Sequence, residues 1–319
     1  MLAPRRLCLE AAVIARVIIA VALTVVGLAV GRGSLARAVY RAVTLLLLYF
    51  SMPILTWYTV GIALPRFLKL IDVMVVGFAY IVVALVAVTL LTSFAGKRLG
   101  WNCRVKAAVT LASVFQNAFF LPLPVVLLLG GTVEPIVAYG IAFSTMTGFA
   151  VPFIASRCSP SRGPRGLWEP LRGLLTYPPF YGLLAGIATI PLSWQLYASA
   201  GSVIAVLKSV ASEATLLSFY LVGASIALTW PPRIDSAVVF TALWRLLISP
   251  IVHLGLAALL GLGSWLLKCV LIESIMPPAT MNLVFSEYYR LETSVVASSI
   301  AFITLLSLAL VGLLAISPP

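Results

Sequence analysis

Residues 108–131 form an apolar segment long enough to cross a bilayer, yet Gln116, Asn117, Pro122 and Pro124 interrupt it. A second segment answers it at 265–289, where Pro277 and Pro278 are followed by Asn282. Proline lacks an N–H and clashes with the carbonyl four residues back, so each segment is expected to be two half-helices joined by non-helical backbone. Bare backbone survives at membrane depth only where it is buried in protein or lines a cavity. Paired interruptions at matching places in two halves of a chain point to a transporter binding site.

Composition agrees with that constraint. Of 319 residues, 62% are hydrophobic and only 9% charged, far below the roughly one quarter of a soluble domain. The chain reads as an integral membrane protein. The net charge of +12 comes from basic residues in short loops between apolar blocks, where they act as orientation signals and lipid contacts, not as a nucleic-acid surface. Cys8, Cys103, Cys158 and Cys269 have no CxxC spacing and indicate neither a disulfide framework nor a zinc site. A single histidine, His253, excludes a multi-His metal centre, and no cofactor is implied.

Ten apolar blocks are expected to be membrane helices, at about 11–31, 39–63, 72–95, 106–130, 135–156, 173–193, 212–230, 236–260, 265–289 and 294–315. The stretch 193–211, with Trp194, Tyr197 and Lys208, reads either as an interfacial connection or as a further partial helix. Arg5 and Arg6 precede a first block too long for a signal peptide, which is therefore expected to be retained. Along ten alternating crossings, six Lys or Arg fall on the face of the termini and thirteen on the other. The positive-inside rule puts the richer face in the cytoplasm of a multi-pass cell-membrane protein and both termini outside.

The polar connection 158–172 divides the chain into five-helix halves, 1–157 and 173–319. Five is odd, so the halves would lie in opposite orientation, as inverted repeats do. The two interrupted segments are then the fourth helix of each half, helices four and nine overall. Ser51-Met52-Pro53 is expected to interrupt helix two, and Tyr177-Pro178-Pro179 to open helix six.

Three stretches carry a resemblance. Asn117-Ala118-Phe119-Phe120-Leu121-Pro122-Leu123-Pro124, closing at Gly130, resembles the asparagine and GlxPl-type turn of the auxin efflux carrier family, with Pro122 where glycine is common. Met276-Pro277-Pro278-Ala279-Thr280-Met281-Asn282, with Tyr289, is similar to that family's MPxAxNxxxxxxxY run. Leu221 to Leu228 resembles its helix-seven LxxGAsLA signature. The resemblance spans nearly the whole chain. It implies an all-α membrane fold of the bile acid/sodium symporter type, with ten helices as two inverted five-helix repeats. Helices four and nine would be broken at their prolines and cross, and the protein would be a homodimer. By the same match, a small organic anion would bind beside the crossover at Asn117 and Asn282.

The residues themselves support related roles. Half-helix ends present unpartnered N–H groups and a partial positive charge, which suit a carboxylate. Asn117, Asn282 and the adjacent Gln116 are the candidate substrate-binding side chains, and Pro122, Pro124, Pro277 and Pro278 set the crossover backbone. Glu273, one turn before Pro277, is ionisable deep in an apolar segment and is a candidate proton-coupling group, unless Lys268 pairs with it. The drive is left open between protons, sodium and the membrane potential alone. Arg245 and His253 lie eight residues apart, near one face of helix eight. The expected function is a carrier working by alternating access. A channel or receptor is the alternative. An intramembrane serine protease using Ser225 and His253 is a remoter one, because Ile226 stands where a second glycine would be expected.

Overall fold

The computed structural model describes residues 3–31, 33–156, 158, 175 and 177–316. It is an all-α membrane protein: among the described residues there is no strand, and five helical runs are long and apolar enough to cross a bilayer. These are Arg37–Ala63, Lys69–Arg98, Pro178–Thr229, Ser236–Leu259 and Thr293–Leu313. Most of the expected connection at 158–172 lies outside the described residues. The chain forms two compact units that each draw on both halves of the sequence.

The first unit contains α1 (Ala3–Val30), α2 (Ser34–Leu46), α3 (Met52–Tyr58), α6 (Pro122–Leu128), α8 (Pro178–Thr189), α9 (Ser193–Ala214) and α10 (Ser218–Thr229). Pro53 does not cut helix two. Its missing N–H is absorbed by a π-helical turn over Leu47–Ser51 that runs straight into α3, and a second such turn follows at Thr59–Ala63. Close helix approach organises the packing. Gly27 of α1 and Gly31 just beyond its end lie against Tyr220, Gly223, Ala224 and Ala227 of α10, and a Cβ on Gly223 would run into the Thr24 carbonyl. Gly182 and Gly186 of α8 meet Pro53, Val60 and Gly61 in the same way. Small residues let backbones touch where lipid supplies no hydrophobic drive between helices. The stretch 193–211 is helical, with a backbone break at Ala200. Arg66 lies over the rings of Trp194 and Tyr197, at 4.6 and 4.3 Å, and donates to the Ser193 carbonyl, an arrangement characteristic of a membrane interface.

The second unit contains α4 (Lys69–Arg98), α5 (Cys103–Val114), most of α7 (Glu134–Ser156), α11 (Ser236–Leu243), α12 (Ser249–Leu259), α13 (Ser264–Ser274), α14 (Met281–Tyr288) and α15 (Thr293–Ile316). Asn102 caps α5 by accepting from the Val105 N–H, and Asp235 caps α11 by accepting from Ala237 and Val238. Pro250 is accommodated like Pro53, by a π-turn at Trp244–Ile248 that leads into α12. The two short second half-helices stop alike: Gly130 ends α6 at φ 70° and Arg290 ends α14 at φ 54°.

The cysteine reading is corrected here. Cys103 and Cys158 form a disulfide, with Cα atoms 5.5 Å apart. Sequence spacing could not show this, because the pair are 55 residues apart and meet only once α5 and α7 bring their ends together. The bond closes α5, the interruption, α6 and α7 into one covalent loop.

Gly223→Val should lower the unfolding stability of the detergent-solubilised protein by about 1 to 3 kcal/mol, because backbone must shift. Gly255→Ala, where nothing lies within 4 Å of an added Cβ, should not lower the melting temperature and should raise it slightly through helix propensity. Cys103→Ser should remove up to about 4 kcal/mol on the chain-entropy estimate for a loop of this length. Reductant should lower the melting temperature of the wild type and not that of the variant.

Candidate functional site

The two interruptions solve the problem of bare backbone by pairing with each other. α5 ends at Val114 and α13 at Ser274, and residues 115–117 and 277–279 run antiparallel. Asn117 N–H donates to the Pro277 carbonyl at 2.8 Å and Ala279 N–H to the Phe115 carbonyl at 3.0 Å, with Gln116 opposite Pro278. This is a bridge of one residue pair. Residues at a non-hydrogen-bonded position of an antiparallel pair need no N–H towards the partner, so Pro278 fits there. Extension fails on one side because Pro277 has no donor. On the other side the Phe115 N–H is already given to Leu111.

The remaining carbonyls at the helix ends are met by side chains. Asn282 Nδ2 donates to the Phe115 carbonyl at 2.7 Å and more weakly to that of Leu111 at 3.4 Å. Arg245, fully buried in the π-turn before α12, lies at the C-terminal end of α13. Its Nε and Nη2 donate to the Met276 carbonyl, and Nη2 also reaches the carbonyls of Ser274 and, at 3.4 Å, Glu273. Its Nη1 serves the Tyr80 hydroxyl, Gln116 Oε1 and Ser249 Oγ. Ser249 Oγ donates to the Ser274 carbonyl, and Ser307 Oγ to that of Ile275. A cation at a helix C-terminus also complements the helix dipole, and a guanidinium has the five donors that this cluster of acceptors requires.

A polar chain leads away from Arg245. Gln116 Nε2 donates to the Tyr139 hydroxyl at 2.7 Å, and that hydroxyl lies 2.9 Å from His253 Nε2. His253 Nδ1 is 2.8 Å from the Ser249 carbonyl and must donate to it. A neutral ring then accepts the Tyr139 O–H at Nε2, a tautomer assigned from these contacts. Tyr80 covers the imidazole, 4.0 Å between ring centroids.

Asn117 is buried, with its backbone in the bridge. Gln116 and Asn282 are buried nearby, but Gln116 bonds at both ends of its amide and Asn282 spends its donor on α5, so both hold the crossover in this conformation. Pro277 and Pro278 lie in their interruption. Pro122 and Pro124 instead occupy the first turn of α6 in the first unit, where a missing N–H costs nothing. Glu273 is fully buried and not paired with Lys268; neither carboxyl oxygen makes a hydrogen bond of ordinary geometry, and Gln116 is the nearest donor. Both ring nitrogens of His253 are engaged within its own unit.

No model of a known protein family matches the chain, and no curated protein does.

Tyr80, Tyr139, Ser249, Ser274 and Ser307 were not singled out from the sequence. For Ser249 a signal existed: with Arg245 and His253 it forms a polar stripe at i, i+4 and i+8 on an otherwise apolar helix. The first unit has a weaker counterpart of the Arg245 cap. There Arg16 reaches the Leu127 carbonyl at the end of α6 at 3.4 Å and pairs with Glu213, both side chains partly exposed.

This contrast sets the expected costs. Arg245→Lys, which cannot span the carbonyls and Gln116 together, should cost about 3 kcal/mol of unfolding stability. Arg16→Lys should cost about 1 kcal/mol or less. Thermal melts of the two variants in one detergent compare them directly.

Proposed function

We propose that the protein is a secondary carrier of the auxin efflux carrier type, moving a small organic anion by alternating access, with the substrate held at the crossover of the two interrupted segments. The observation that carries this reading is the buried bridge between residues 115–117 and 277–279. Broken helices are costly at membrane depth and recur where a transporter builds its site. Three features favour an anion: the buried charge of Arg245, the neutral amide of Asn117 at the bridge, and the N-terminal end of α14. In a low-dielectric interior Arg245 acts through its field even though its donors are spent on protein.

In this reading Asn117 contacts the substrate, while Asn282 and Gln116 shape the backbone around it. The ten crossings form two inverted five-helix repeats, the basic face lies in the cytoplasm with both termini outside, and the carrier is a homodimer. The partner engagement of His253 counts against the Ser225 and His253 protease.

Counterflow in proteoliposomes tests the reading. A mixture of small organic anions is first screened for those that raise the melting temperature of the purified protein. A hit should then exchange across the bilayer with trans-stimulation, and Asn117→Ala should abolish both effects while still folding. Transport without trans-stimulation would indicate a channel. Normal exchange by Asn117→Ala would remove the crossover as the binding site.

A further inference from the structure

Among the described residues at the crossover, the carboxyl of Glu273 has no charged group hydrogen-bonded to it. It lies on the last turn of α13, fully buried, and neither oxygen makes a hydrogen bond of ordinary geometry, the nearest donor being the neutral amide of Gln116. The polar groups acting on it are Gln116 and Tyr139, from the interruption after α5 and from α7, and Arg245, from the turn before α12. Arg245 holds the end of the same helix through the carbonyls of Glu273, Ser274 and Met276, so its N–H groups do not turn to the carboxyl. The Tyr139 hydroxyl lies between Gln116 and His253.

An ionised carboxylate fully buried with no charged donor bonded to it is not sustainable, and it must be neutralised by a proton or by a bound cation. A metal ion would need several oxygen ligands. It would also stand within the field of a buried guanidinium, whereas a proton adds no net charge to the carboxyl it neutralises. Among the described residues no group of acidic, histidine or cysteine side chains is arranged to hold a metal.

We infer that Glu273 is a proton-binding site paired electrostatically with Arg245, so that its protonation state sets the net charge of the crossover. With the proton bound, the charge of Arg245 is uncompensated and an anion is attracted. Once the proton leaves for water, the Glu273 carboxylate becomes the internal counter-ion and competes with the anion. Arg245 then also has an acceptor to exchange for the helix-end carbonyls and Gln116, which loosens the bridge. Proton and anion therefore bind together, one of each. This coupling rests on the carrier reading, while the proton site itself does not.

Infrared spectroscopy of the purified protein, titrated with pH and recorded without any substrate, tests the site. The wild type should show a protonated-carboxyl C=O band that is missing from Glu273→Gln and displaced in Glu273→Asp. Above its midpoint the band should fall about tenfold per pH unit. It should be the same in sodium chloride and in N-methylglucamine chloride. Three results would overturn the inference: no such band in the folded wild type at any pH, a band that persists in Glu273→Gln, or a band that sodium removes at fixed pH, which would make Glu273 a metal-cation ligand. Because the readout needs no transport, a failed counterflow assay would sink the carrier and leave this site standing.

Discussion

Two hydrogen bonds between interrupted helices, Asn117 N–H to Pro277 and Ala279 N–H to Phe115, are what the second unit is arranged around. Each interruption taken alone would leave backbone donors and acceptors buried without water, at a cost of a few kcal/mol per group. Brought together antiparallel they satisfy one another, and Pro278 can sit opposite Gln116 without loss. Everything adjacent serves the carbonyls that the bridge cannot reach. Asn282 takes those at the end of α5; Arg245, Ser249 and Ser307 take those at the end of α13.

Arg245 shows how a charge can be tolerated in such an interior. Its guanidinium has a partner for each N–H, and its charge lies against the negative end of a helix dipole. The same arrangement deprives Glu273 of an obvious counter-ion. The two groups therefore belong to one electrostatic system although no bond joins their side chains. Arg16, at the end of α6 in the first unit, repeats the capping idea with a partly exposed side chain that Glu213 pairs through two of its nitrogens.

The disulfide bears on orientation. Cystines persist mainly in oxidising compartments, whereas basic loops mark the cytoplasmic face of a membrane protein. Cys103 is flanked by Arg98, Arg104 and Lys106, so the two rules pull in opposite directions on this face. In the proposed orientation the bond faces the cytoplasm, where it fastens the end of α7 to the start of the interrupted segment.

By itself the sequence determined the solvent and the interruptions. Apolar length fixed a helical membrane protein, because only hydrogen bonding within a segment is acceptable in lipid. Pro122, Pro124, Pro277 and Pro278 marked the two segments that could not run unbroken. The depth of Glu273 was legible for the same reason. What the tertiary structure decided was pairing: that Phe115 and Asn117 meet Pro277 and Ala279, that Arg245 caps a helix end in place of reaching lipid headgroups, and that Cys103 finds Cys158. Periodicity and composition report how a residue relates to its own segment. A hydrogen bond between residues more than a hundred positions apart depends on how helices pack, and no local pattern encodes that.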